Sequence, residues 1–217
     1  MNKLKLVIGN KNYSSWSLRP WFFLKNLGIN FDEELVFLFE ENTKEKLKPY
    51  FSDEKVPILL DGDLQVWDSL AIIETLADKF PDKLGWPEDA NAKAIARAVS
   101  AEMHSGYFAL RDALPMNCRK NFPDHPITNE VQRDIDRIIS VWEYCRMNYA
   151  NDGPWLFGKF SGADAMFAPI VLRLSGYDVK VSGVAKEYID TVLKNEHIQN
   201  WIEAGKIEKQ IIKIDEV

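Results

Sequence analysis

The sequence predicts a small α/β domain followed by an all-helical one, and three observations carry that reading. Through residue 81, short strand-like apolar runs alternate with stretches of helical periodicity. A polar, Pro-containing stretch over residues 82–89 breaks the pattern and reads as a linker. Over residues 90–217 apolar residues recur at helical spacing with no strand alternation.

Leu4 to Ile8 is a short apolar run that reads as a buried strand, and the polar turn Asn10 to Ser15 leads into a helix from about Ser17 to Leu27, stopped by Gly28. Phe31 to Phe39 reads as a second strand. Asn42 to Tyr50, rich in Lys and Glu, reads as a short exposed helix. Val56 to Leu60 and Leu64 to Trp67 flank Asp61-Gly62-Asp63; an Asp-Gly turn between apolar runs signals an antiparallel hairpin. Ser69 opens a helix with Leu70, Ile73, Leu76, Ala77 and Phe80 on one face, ended by Pro81. The order is β-α-β-α-β-β-α.

In the second region Ile95, Val99, Met103, Tyr107, Leu110 and Leu114 follow one helix face, and Val131, Ile135, Ile138, Trp142, Cys145 and Tyr149 another. Further helices are expected over Ala163 to Leu174, Val184 to Leu193 and Ile198 to Glu208.

Composition narrows the function classes. With 46% hydrophobic and 28% charged residues the 217-residue chain has a globular balance. No apolar run approaches the roughly 20 residues that span a bilayer, so no membrane association is expected. The first residues lack a signal-peptide core, and Cys118 and Cys145 form no close-spaced motif, which suits reduced thiols in the cytoplasm. His125 and His197 have no ligand-spaced companions, so no metal is expected. A net charge of -6 argues against a nucleic-acid partner.

Three short segments have the residue types of a site, and a fourth reads as structural. Ser14, Ser15 and Ser17 stand where the first strand meets the first helix; any of them can cap that helix. The same position suits a thiolate, because a helix N-terminus offers unpaired donors and partial positive charge, and a serine hydroxyl adds one more hydrogen bond. Pro57 at a strand start is tolerated because it need not donate to the ladder. Asp68-Ser69 before a helix reads as a cap on its own. Ser161-x-x-Asp164 reads as a structural capping box.

Ser14-Ser15-Trp16-Ser17-Leu18-Arg19 resembles the serine turn of zeta-like cytosolic glutathione transferases, with Trp16 where that turn has cysteine. The resemblance implies a thioredoxin-like first domain, glutathione as co-substrate, and a catalytic serine at Ser14 or the adjacent Ser15. It implies a cis Val56-Pro57 bond that leaves the Val56 backbone to pair with the cysteinyl part of glutathione. Asp68-Ser69 is similar to the family's γ-glutamyl-binding segment, with Asp a departure; the carboxylate suits an ammonium, and Ser69 with the helix end suits a carboxylate. Lys55 either pairs with a glutathione carboxylate or is simply solvated.

Ala101 to Arg111 resembles a segment of bacterial relatives and places His104 and Arg111 two turns apart near one helix face. They either position an anionic co-substrate or reach glutathione, against an ordinary packing or surface role. The family resemblance also implies a cytoplasmic homodimer that attacks a small electrophile with the glutathione thiolate. A glutathione-dependent isomerase of the maleylacetoacetate type and a non-catalytic interaction protein are the alternatives.

Overall fold

The computed structural model describes residues 3–151 and 153–217. Strand β1 (Leu4–Ile8) lies inside a four-stranded sheet of order β2-β1-β3-β4. The other strands are β2 (Phe31–Leu35), β3 (Ile58–Asp61) and β4 (Leu64–Trp67). β2 runs parallel to β1, and β3 and β4 are antiparallel. Leu6, Val7 and Ile8 are fully buried because a central strand is covered on both faces. β2, on the edge, carries Asp32, Glu33 and Glu34, charges that discourage pairing with another chain.

Helices α1 (Ser15–Asn26), α2 (Thr43–Leu47) and α3 (Ser69–Lys79) alternate with the strands, which gives the expected β-α-β-α-β-β-α order. A 3-10 turn at Pro81–Lys83 leads to α4 (Ala90–Ser105), α5 (Phe108–Ala113), α6 (Asn129–Tyr149), α7 (Gly162–Gly176), α8 (Gly183–Lys194) and α9 (Glu196–Ile207). The architecture is therefore a thioredoxin-like α/β region followed by helices. Among the described residues no helix is long and apolar enough to cross a membrane.

Two expectations are corrected. The strand expected to reach Phe39 ends at Leu35: Val36 N makes one more bond to Ile8 O at 2.9 Å, and there β1 runs out. The single helix face from Ile95 to Leu114 is broken. α4 stops at Ser105, Gly106 is extended, and Tyr107 is left-handed at φ 60°. A Glu102 carboxylate accepts from the Tyr107 hydroxyl at 2.7 Å, and an Asp134 carboxylate accepts from Leu110 N at 3.0 Å, which holds the restart. His104 and Arg111 thus sit on opposite sides of a break, not two turns apart on one helix.

One apolar core joins the two regions. α1 is buried along most of its length because the sheet side and the second region both cover it. Phe22 meets Phe160 edge-on at 5.2 Å, and Trp21 meets Trp201 at 5.0 Å. Each such ring contributes about 2 kcal/mol of burial. α7 is buried from Gly162 to Leu174 and carries the capping box: Asp164 accepts from Ser161 N at 2.8 Å and Leu156 N at 3.0 Å. Burial pushes the Asp164 carboxyl up to about 6 against the lowering effect of those bonds. Arg19 in α1 and Arg173 in α7 are charged residues on otherwise buried helices.

Candidate functional site

A cavity of about 970 Å³ lies where the β1–α1 turn faces α4, α5 and α7. Ser14, Ser15, Lys55, Val56, Pro57, Asp68, Ser69, His104 and Arg111 all line it. The chain brings them together because three loops of the sheet region end on one side and the α4–α5 break closes the other.

The β1–α1 turn is fixed from within. Tyr13 N and Ser14 N donate to Asn10 O, and Gly9 N donates to Ser17 Oγ at 3.0 Å. Ser14 Oγ lies 2.8 Å from Ser17 Oγ and accepts from Ser17 N at 3.3 Å, so Ser14 is the cap of α1. Ser15 Oγ instead accepts from Arg173 Nη2 at 3.2 Å. Both serines are buried yet line the cavity.

Trp16 gathers the charges. The Arg19 guanidinium lies 4.2 Å from its ring centroid and that of Arg111 4.5 Å, contacts of the cation–π type. The His104 ring meets it edge-on at 5.4 Å. Arg111 Nη1 donates to His104 O at 3.1 Å and Gly106 O at 3.2 Å, which ties the α4–α5 break to the site.

Asp68 holds a left-handed φ of 75° and caps α3 through Oδ1, accepting from Leu70 N at 2.9 Å and Ala71 N at 3.2 Å. Its Oδ2 lies 3.2 Å from His104 Nε2. Ser69 Oγ accepts from Arg19 Nη1 at 3.3 Å. The Val56-Pro57 bond is cis. Lys55 is exposed at the rim and paired with Asp53 at 2.7 Å.

Burial lowers all three arginines. Arg19 is brought to about 9, with the positive charges of Arg111 and Arg173 adding to burial and Asp68 opposing it. Arg173 is brought to about 10 by burial and then by Arg111. Arg111 is lowered by burial. All three remain cations at neutral pH.

Segment 208–217 forms one wall. Glu208 accepts from Lys11 N at 2.7 Å and Asn12 N at 3.1 Å, and Ile212 and Asp215 line the cavity. Glu216 accepts from the Tyr13 hydroxyl, from Lys120, and from Asn117 Nδ2 at 3.2 Å. Burial raises its carboxyl, but the bonds from Lys120, Tyr13 and Asn117 outweigh that and hold it at about 2. Among the described residues no cluster of His, Cys, Asp and Glu is arranged to hold a metal ion. Burial pushes the Cys118 and Cys145 thiols up to about 12, far from a reactive thiolate.

Sequence reasoning did not assign to the site Arg173, which lines the cavity, nor Arg19 and Glu216, which bond to the lining residues Ser69 and Tyr13. The signal for Arg173 was a lone charge inside the apolar run Met166 to Leu174, and for Arg19 a charge among Leu18, Pro20 and Trp21. Nothing local marked Glu216, whose partners are about 100 and 200 residues away.

A serine turn at a helix end, a cis-proline loop and an Asp-Ser helix start meet around one cleft of a thioredoxin-like α/β region with an appended helical region. Residues 13–79 match the family described as Glutathione S-transferase, N-terminal domain. Glutathione S-transferase 1 of Dianthus caryophyllus is 27% identical over 206 residues, covering 91% of this chain and 90% of that one. A probable maleylacetoacetate isomerase of Caenorhabditis elegans is 39% identical over 93 residues, 42% of each chain. Among solved structures, a glutathione transferase homologue from Burkholderia GL BGR1 with bound glutathione superposes with a TM-score of 0.70 at 19% identity, covering 94% of this chain and 98% of the other. Residues 13–79 thus carry a glutathione S-transferase N-terminal domain, and the chain as a whole has the fold of solved glutathione transferases.

Proposed function

We propose that this chain is a glutathione S-transferase that binds glutathione in the cleft and holds its thiol as a thiolate for attack on a small electrophile. The observation that carries the reading is Ser15 at the start of α1, its Oγ accepting from the buried Arg173 guanidinium. A hydroxyl that accepts from a cation is a better donor through its own hydrogen. Ser15 therefore donates to the sulfur, while Ser14 serves as the cap. The α1 N-terminus adds its partial positive charge. Each unit by which the thiol pKa falls requires about 1.4 kcal/mol of preference for the anion, within reach of one charge-assisted hydrogen bond plus a helix end.

Along the rest of glutathione, the Val56 backbone beside Pro57 pairs with the cysteinyl part. Asp68 Oδ2 takes the γ-glutamyl ammonium, and Ser69 with Arg19 takes the neighbouring carboxylate. Lys55 at the rim is in reach of the glycyl end once it leaves Asp53. The thiolate forms a new bond to the electrophile and the leaving group departs with its electron pair. We also propose that the glutathione domain spans residues 1–81 and the helical domain 90–217, and that the protein is a cytoplasmic homodimer, which sedimentation tests.

Titration with reduced glutathione in a calorimeter tests the assignment. Saturable heat, and conjugation of a chloronitrobenzene, support it; no heat of binding overturns it in favour of an interaction protein. The Caenorhabditis relative favours a second reading, a glutathione-dependent isomerase, in which the same thiolate adds to a double bond and is later expelled.

A further inference from the structure

His104 stands in the last turn of α4, and three neighbours hold it there. Its ring meets Trp16 edge-on at 5.4 Å, its carbonyl accepts from Arg111 Nη1 at 3.1 Å, and its Nε2 lies 3.2 Å from Asp68 Oδ2. The last contact crosses the cleft from the helical region to the start of α3. Trp16 and Asp68 are also two positions where the sequence departs from the segments it resembles, and both meet at this imidazole. The Nδ1 atom is buried without a hydrogen-bond partner among the described residues. An N–H there would be buried with no acceptor, and a lone pair on Nε2 would face a carboxylate oxygen. The ring hydrogen therefore belongs on Nε2, where it points to Asp68.

The acceptor capacity of Asp68 decides what this contact does. A carboxylate offers roughly four lone-pair positions, two on each oxygen. Oδ1 uses both for the cap of α3, accepting from Leu70 N and Ala71 N. With His104 on Oδ2, one position remains, and its direction is set. The backbone is fixed as well, since a non-glycine residue keeps a φ of 75° only where its surroundings hold it. A carboxylate held at both oxygens cannot turn away, so a ligand ammonium meets an acceptor already oriented to receive it.

We propose that His104 is a positioning residue for glutathione: its Nε2–H holds Asp68 so that the open side of Oδ2 receives the γ-glutamyl ammonium, and Trp16 seats the imidazole for that task. The inference rests on the glutathione-transferase reading and deepens it, because it gives the helical region a part in recognising the γ-glutamyl end.

Calorimetry on the full-length protein compares glutathione with glutaryl-cysteinyl-glycine, the same skeleton without the ammonium. His104→Leu should weaken glutathione binding about tenfold, the size of one charge-assisted hydrogen bond, and change binding of the analogue by less than about twofold. His104→Gln keeps a donor at the same reach and should stay within about threefold of the parent on glutathione. His104→Asn is too short to reach Oδ2 and should repeat the selective loss, which keeps the test open if the leucine variant does not fold. In an Asp68→Asn background His104→Leu should add no further loss. Equal losses for the two ligands, an unchanged glutathione affinity, or the same loss in the Asp68→Asn background overturns the proposal and leaves the transferase reading intact. If the parent protein itself gives no heat with glutathione, the transferase reading falls and this inference falls with it.

Discussion

Arg173 Nη2 donates to Ser15 Oγ at 3.2 Å, joining α7 to the first turn of α1 across 158 residues of chain. This bond makes the two serines inequivalent. Ser15→Ala should lower kcat/KM for a chloronitrobenzene about ten- to a hundredfold, the size of one lost hydrogen bond to a charged group. Ser14→Ala should act mainly on stability, by about 1 kcal/mol in a denaturant titration, because it removes a helix cap. The reverse ranking in rate would assign the sulfur to Ser14.

Arg173→Met should raise the pKa of the bound glutathione thiol, since it removes a buried positive charge next to the hydroxyl that meets the sulfur. Thiolate absorbance followed against pH reads the shift directly, and the rate profile should move to higher pH with it. The variant should also lose about 1–3 kcal/mol of stability, because Arg111 O and Leu114 O lose a donor.

Glu216 gives the fold an acid-sensitive latch. Its folded carboxyl sits at about 2, below the ordinary 4.5, so the native state favours the charged form. That contribution is complete above about pH 4.5 and is lost as pH falls from there towards 2. Glu216→Gln should flatten the loss of thermal stability across this window and loosen segment 208–217, measured as faster amide exchange there.

Asp164 has the opposite sign. Its folded carboxyl is raised from 3.8 to about 6, so between these values the native state holds more protons than the unfolded one. Stability from this group falls as pH rises through that window. Asp164→Ala should still destabilise at neutral pH by about 3 kcal/mol, because it strands the N–H groups of Leu156 and Ser161 and removes the cap of α7. Chemical denaturation at pH 7 checks the size.

Trp16→Ala should weaken glutathione binding more than Trp16→Phe, since the ring supports the Arg19 and Arg111 guanidiniums. Calorimetry with glutathione separates the two; equal affinities would show that the stacking has no part in shaping the cleft.

The element order and most helix positions were legible because each rests on a local signal. Asp61-Gly62-Asp63 makes a tight turn wherever it lies between apolar runs, and Ser69 starts a helix that its own apolar spacing continues. The α4–α5 break was not legible, because Met103, Tyr107 and Leu110 keep helical spacing across it while the Glu102 and Asp134 contacts that hold it come from tertiary neighbours. The expected site residues were found as short motifs, and their meeting at one cavity is a property of the sheet loops.

By itself the sequence determined an α/β region followed by helices, a serine turn at a helix start, Val56-Pro57, and Asp68-Ser69. Each is set by backbone preference and side-chain spacing within a few residues. Only the tertiary structure decided which serine accepts from Arg173, that Arg19 and Arg111 lie over Trp16, and that Glu216 latches Tyr13. The reason is physical: whether a charge is paired, buried or left open to a ligand depends on what the rest of the chain packs around it.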